Sequence, residues 1–181
     1  MSASRDGRPA SPAQEAGTPG AAALTGRFAD ADDRRYAGTA VQKTSLVVGI
    51  VFLLVGIAGF IPGLTSHYSA LMFAGHGSMA MLLGVFQVSV LHNVVHLLFG
   101  IAGVVFAVTR RGSRGYLVWG GAIYGVLWLY GLVFGGDSPG NVVPVNSADN
   151  WLHLGLAVGM VLLGILLSPR GAGVNRPTGT A

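Results

Sequence analysis

The chain has 181 residues, of which 51% are hydrophobic and only 10% are charged. Soluble domains carry about 25% charged residues, so this composition excludes a surface that faces water on all sides and predicts an integral membrane protein. The formal net charge of +4 comes without a basic helix or interleaved basic and aromatic residues, so we expect no nucleic-acid partner. The absence of cysteine excludes disulfides, thiolate metal sites and cysteine nucleophiles.

Both ends of the chain are predicted to be disordered tails in the cytoplasm. Residues 1–43 are rich in Ala, Gly, Pro, Ser and charge, and offer too little apolar surface to offset the entropy cost of ordering. This segment is also too long for the basic region of a signal peptide, so the apolar run that follows is expected to remain as a span. Residues 169–181 form the second tail.

Between the tails, residues 44–168 are predicted to form an all-α integral membrane four-helix bundle, with two tandem helical hairpins as one arrangement. The spans are expected at about 45–64, 88–108, 116–134 and 148–167. Each run has roughly the 20 apolar residues with which a helix crosses about 30 Å of hydrocarbon. Residues 65–87 are broken by glycines, so they are predicted to be an interfacial or re-entrant segment rather than a further span.

The basic residues predict the orientation of these spans. All 11 Lys and Arg lie before the first span, between the second and third, or after the fourth. Positively charged loops are retained in the cytoplasm, so the chain is predicted to be a multi-pass protein of the cell membrane with both termini cytoplasmic. All 5 histidines then lie toward the outer side.

An Asn-x-x-His motif occurs at the start of the second span and again at the start of the fourth. Residues three or four apart share one face of a helix, and polar groups within membrane helices usually face the bundle interior. His92 and Asp149 hold equivalent positions immediately before the two motifs. The motifs predict a structural polar layer near the outer leaflet, formed by Asn93, His96, Asn150, His153 and Asp149.

Two interpretations of this layer are open. In the first, its hydrogen bonds join the helices at about 0.6 to 2 kcal/mol each, Asp149 accepts from His153, and Ser147 and Asp149 are the N-cap and first-turn acid of the fourth helix. In the second, histidines of two helices ligate a haem iron, or a divalent metal is bound by His92, His96, His153 and Asp149. The first is favoured, because a His-x-x-x-His pair alone is a weak metal motif. We assign no catalytic residue and no cofactor.

Segments 84–97 (GVFQVSVLHNVVHL) and 146–154 (NSADNWLHL) resemble a family of small four-span bacterial membrane proteins. That family is a domain of unknown function, frequent in high-GC Gram-positive bacteria. The segment 56–63 (GIAGFIPG) fits the resemblance, which covers about residues 44–168. The resemblance implies no established activity, substrate or cofactor.

Three function classes follow from these observations. A non-enzymatic membrane component, structural or partner-binding, is favoured over an enzyme. The alternatives are a haem- or metal-binding redox module that uses histidines of spans two and four, and a small-molecule channel or transporter. The spans hold no Lys, Arg or Glu, which argues against an ion-coupled transporter. The expected partners are the lipid bilayer and either another membrane protein or a second copy of this chain.

Overall fold

The computed structural model describes residues 35–168, so residues 1–34 and 169–181 of the predicted tails lie outside the described residues. The described part of the chain contains four α-helices, which are α1 (Ala40–Ala58), α2 (Val90–Phe106), α3 (Arg110–Phe134) and α4 (Ser147–Leu166). By length and composition, α1, α3 and α4 could each cross a membrane, and α2 is a shorter apolar helix. The fold is therefore helical and has the apolar helices of a membrane protein.

Each helix begins after a polar residue whose side chain accepts a hydrogen bond from a backbone N–H of the first turn. These N-cap residues are Thr39, Ser89, Thr109 and Asn146. The caps of α1 and α4 are reciprocal capping boxes, closed by Gln42 and Asp149. The prediction of Ser147 as the N-cap of the fourth helix is wrong, because the Asn146 side chain accepts from Asp149 N at 3.0 Å and Ser147 is already helical.

The helices and the predicted spans differ at some ends. α1 starts before the predicted first span because its capping box begins the helix, and it ends at Ala58, before the predicted end, in a series of tight turns. α3 includes the basic segment that was expected to be a loop. Its start is fixed by Thr109, which accepts from Gly112 N at 3.0 Å, and by Ser113, whose hydroxyl donates to Phe106 O at 3.0 Å.

The four helices pack chiefly as two antiparallel hairpins, α1 with α2 and α3 with α4. Small residues lie where the helices approach most closely. A Cβ placed on Gly49 would lie 2.8 Å from the backbone of Gly100, and one placed on Gly121 would lie 2.9 Å from Ala157 O. Glycine is therefore required at both crossings, as expected for helices that pack through small residues.

The α1–α2 connection, residues 59–89, adds a small β-sheet to the predicted all-α fold. Its three short strands are β1 (Thr65–Ser66), β2 (Met81–Leu82) and β3 (Phe86–Gln87), with a 3-10 helix at Tyr68–Ala70. β2 pairs antiparallel with both neighbours. The turn between β2 and β3 contains Leu83 and Gly84 in the left-handed region, with φ of 51° and 70°. This backbone conformation closes the chain into a hairpin at the position expected to be interfacial or re-entrant.

Candidate functional site

A cluster of rings between the helices receives side chains from all four of them. We call it the histidine cluster, and its members are Phe52 of α1, His92, His96 and Phe99 of α2, Tyr124 of α3, and His153 of α4. The three imidazoles of the repeated motif region therefore lie together, although they come from separate hairpins. The cluster therefore joins the two hairpins.

The rings of the histidine cluster are in direct contact. The centroids of His92 and His96 are 4.6 Å apart, and those of His92 and His153 are 6.2 Å apart. Tyr124 lies 5.3 Å from His153, and Phe52 lies 5.7 Å from His96. The exposed fractions of His92, His96 and His153 are only 4%, 8% and 3%. The imidazoles are thus buried and in contact with other rings.

Several polar atoms of this region are buried without a hydrogen-bond partner among the described residues. They are Nδ1 of His92, His96 and His153, and both amide atoms of Asn93. An unpaired buried polar group costs about 1 to 3 kcal/mol, so hydrogen bonding at these atoms does not account for the stability of the cluster. Contacts between rings, each contributing about 0.5 to 1.5 kcal/mol beyond area burial, provide the alternative source of stabilisation.

Asp149 is engaged by backbone groups rather than by an imidazole. Its Oδ2 atom accepts from Gln87 N at 3.0 Å and from Asn146 N at 2.9 Å. The Asn146 side chain in turn donates to Val85 O at 2.8 Å. These hydrogen bonds attach the α1–α2 connection to the start of α4. The expected contact between Asp149 and His153 is not among the hydrogen bonds of the described chain.

The two asparagines of the repeated motif occupy equivalent places, one in each hairpin. A Cβ placed on Gly59 would overlap the side-chain amide of Asn93, and one placed on Gly131 would overlap that of Asn150. Each asparagine therefore packs against a glycine at the far end of the helix that precedes it. The pairing of each glycine with its asparagine could not be predicted from the sequence, because the two spacings differ and no local pattern connects these residues.

The predicted metal ligands do not form a recognisable coordination site. Within residues 35–168, no group of three or more His, Cys, Asp or Glu side chains is arranged so that it could hold a metal ion. Asp149 is held by two backbone N–H groups. The set His92, His96, His153 and Asp149 stays a prediction without support from this geometry.

A cavity of about 500 Å³ lies apart from the imidazoles, between α2 and α3. It is lined almost entirely by apolar side chains and by glycines, among them Leu98, Phe106, Gly115, Trp119 and Ile123. None of its lining residues carries a formal charge. This groove could not be predicted from the sequence, because glycine-rich apolar runs do not reveal which face of a helix is left uncovered.

The comparison with known families gives one match. A family model described as a domain of unknown function (DUF4383) matches residues 42–166, which extend from the first turn of α1 to the end of α4. No curated protein and no solved structure matches the chain. The expected resemblance to a family of unknown function is confirmed, whereas the four-span character and the bacterial origin of that family stay predictions.

Proposed function

The chain belongs to the DUF4383 family, a domain of unknown function, and from that premise we propose that it is a non-enzymatic, multi-pass protein of the cell membrane. In this proposal it crosses the membrane four times with both termini in the cytoplasm, and it acts as a structural or partner-binding component. The observation that carries the proposal is the burial of the histidine cluster among rings from all four helices.

The surface of the helices supports a place in the membrane. Large apolar side chains are exposed along all four helices, with Leu54, Leu98, Leu132 and Leu166 as examples. A soluble monomer rarely exposes apolar surface on this scale, whereas lipid tails solvate it without cost. The membrane therefore provides the environment that these side chains require.

The position of the basic residues supports the proposed orientation. The start of α1 lies beside the end of α2, because Gln42 Nε2 donates to Val108 O at 2.9 Å and Ala37 N donates to Ala107 O at 3.3 Å. Lys43 is therefore at the same end of the bundle as the arginines at the start of α3. A single basic end agrees with the rule that positive segments remain in the cytoplasm.

The enclosure of the imidazoles supports a non-enzymatic role. General acid–base catalysis requires that the catalytic group reach the substrate within hydrogen-bond distance. His92, His96 and His153 contact one another or neighbouring rings instead, and are more than nine-tenths buried. The cavity between α2 and α3 has no charged residue in its lining. These observations favour a packing role for the three imidazoles over a catalytic one.

Exposed apolar residues of the α1–α2 connection support a partner-binding role. Phe73, Met79 and Leu83 are each more than half exposed, although the connection itself is anchored to α4. An ordered segment that presents aromatic and Met side chains has the composition of a protein contact surface. We therefore expect this connection to contact another protein at the outer face of the membrane.

The absorption spectrum and metal content of the purified protein test the proposal. The chain would be extracted from membranes in mild detergent, after confirming that alkaline carbonate does not release it. We expect no Soret band and no stoichiometric metal. A Soret band that His153→Phe abolishes, or one metal ion per chain that the same variant loses, would contradict the non-enzymatic proposal in favour of a redox module.

A further inference from the structure

The cavity between α2 and α3 is a lateral groove rather than an enclosed void. Its lining runs from Phe106 and Gly112, near the basic end of the bundle, to Leu98 and Ile123. At 1.5 Å per residue, the α3 side of the groove is about 16 Å long. Trp119, which lies along this side, is 73% exposed. The groove is therefore long, apolar and open to the surroundings of the bundle.

Gly115 of α3 leaves unfilled space in the lining of the groove. A Cβ placed on Gly115 would meet no atom within 4 Å, although Gly115 lies in the lining. Unlike the glycines at the helix crossings, Gly115 is not required by packing within the described chain. Its missing side chain leaves room for an external molecule.

Positive charge is concentrated at one end of this groove. Arg111 and Arg114 are exposed and immediately precede the lining residues Gly112 and Gly115. Residues 98–123, which include the whole lining, contain no Asp or Glu. Both arginines also lie in the first turns of α3, where the helix dipole adds positive potential. An apolar channel with a basic end matches the chemistry of an anionic amphiphile.

We propose that the groove between α2 and α3 binds one anionic phospholipid, with an acyl chain along Leu98, Gly115 and Ile123 and the phosphate beside Arg111 and Arg114. This proposal rests on the proposed place of the chain in the membrane. Basic sites between membrane helices bind anionic head groups through such arginines, and an acyl chain is the apolar group available at that depth.

A second copy of the chain fits the groove less well than a lipid does. Copies inserted in the same orientation would bring the arginines of both molecules to the same depth in the membrane. Like charges at that interface would repel each other, and residues 98–123, which include the whole groove lining, contain no Asp or Glu with which to pair them. A phosphate carries the charge that complements Arg111 and Arg114, so the lipid is the favoured occupant.

Native mass spectrometry of the detergent-purified protein tests the proposal, with phosphatidylglycerol and phosphatidylcholine of identical acyl chains added in turn. We expect the wild type to retain one phosphatidylglycerol, with an apparent affinity about tenfold above that for phosphatidylcholine. Gly115→Phe should fill the groove and abolish this retention. Gly159→Phe is the matched control, because Gly159 lies on α4 and a Cβ there also meets no atom within 4 Å.

Charge variants test whether the lipid head group binds at Arg111 and Arg114 or is attracted by the positive charge of the whole basic end. Arg111→Gln with Arg114→Gln should remove the preference for phosphatidylglycerol. Arg35→Gln with Lys43→Gln, which removes two charges outside the groove lining, should retain it. Equal lipid retention by Gly115→Phe and the wild type would overturn the proposal, as would a preference that the Arg111 and Arg114 variants keep. Dimers that form without lipid and that Gly115→Phe abolishes would assign the groove to a second copy.

Carbonate extraction together with the lipid measurement distinguishes a failure of the lipid site from a failure of the proposed function. A chain that alkaline carbonate releases from membranes would contradict the membrane placement, and the lipid site would fail with it. A chain that remains in the membrane and shows no lipid preference would contradict the lipid site alone.

Discussion

Gln87 and Asp149 form a hydrogen bond in which the backbone N–H of Gln87 donates to Oδ2 of Asp149 at 3.0 Å. This bond attaches β3 to the first turn of α4, and the same oxygen accepts from Asn146 N. Asp149→Ala would leave both donors without this acceptor. We expect it to lower the free energy of unfolding by about 1 to 3 kcal/mol, because buried donors would be left unsatisfied. Thermal unfolding in detergent measures the change.

Two variants control for this result. Asp149→Asn keeps an accepting oxygen, so its loss of stability should be smaller than that of Asp149→Ala. Asp137→Ala removes an exposed carboxylate from the loop between α3 and α4 and should leave the melting temperature unchanged. If Asp149→Ala and Asp137→Ala melt at the same temperature, the bond between the connection and α4 does not stabilise the fold.

The packing of Asn93 on Gly59 and of Asn150 on Gly131 predicts that both glycines resist substitution. In Gly59→Ala and Gly131→Ala the new methyl group would overlap the asparagine amide. Overpacking of this kind typically costs about 1 to 3 kcal/mol, so both variants should melt below the wild type. Gly155→Ala is the control, because a Cβ at Gly155 meets no atom within 4 Å. A Gly59→Ala protein as stable as Gly155→Ala would show that the asparagine packing is not required.

The packing of the histidine cluster predicts that removing one of its rings lowers the free energy of unfolding more than replacing that ring with another. His153→Ala and His96→Ala would leave cavities among packed rings, and we expect each to lower the free energy of unfolding by about 2 to 4 kcal/mol. His153→Phe retains a ring beside Tyr124, so its free energy of unfolding should fall by less than that of His153→Ala. If His153→Phe is instead as unstable as His153→Ala, polar contacts of the imidazole matter more than its packing.

At the basic end of the bundle, the Gln42 side chain joins α1 to the end of α2, and we expect its hydrogen bonds to stabilise the fold. Its Nε2 atom donates to Ala107 O at 3.2 Å and to Val108 O at 2.9 Å, and the side chain is fully buried. Gln42→Ala should cost about 1 to 3 kcal/mol, because these carbonyls lose their donor. Thr44→Ala is the comparison, since the Thr44 hydroxyl donates only within α1, to Ala40 O. Equal melting temperatures for the two variants would contradict a stabilising contact between the helices.

Much of the helical fold could be predicted because long apolar runs specify helices locally. The shared helix face of His92 and His96 could be predicted from their spacing, whereas the approach of His92 to His153 depends on how the two hairpins pack, because His92 lies outside the repeated Asn-x-x-His motif. The start of α3 was missed because the Thr109 cap outweighs the basic loop-like composition that follows it. In that segment a single side-chain contact determines where the helix begins.

The parts that escaped prediction depend on contacts between distant segments. The β-strands have two residues each, too few to show an alternating pattern, and they form through pairing within a long connection. In the contact between Asp149 and β3 the donor is the backbone N–H of Gln87, and a backbone group cannot be recognised from residue identity. The groove between α2 and α3 likewise follows from the relative placement of these two helices and from no single motif.

The most direct test of the account is the membrane orientation of single cysteines, because the natural chain contains none. Ser69→Cys and Asp137→Cys would place exposed thiols in the two connections predicted to be outside, and Lys43→Cys and Arg111→Cys would place them at the basic end. On intact cells, an impermeant maleimide should label the first two and leave the last two unlabelled until the membrane is opened. Labelling of Lys43→Cys or Arg111→Cys from outside would contradict the proposed orientation and the position of the histidine cluster toward the outer side.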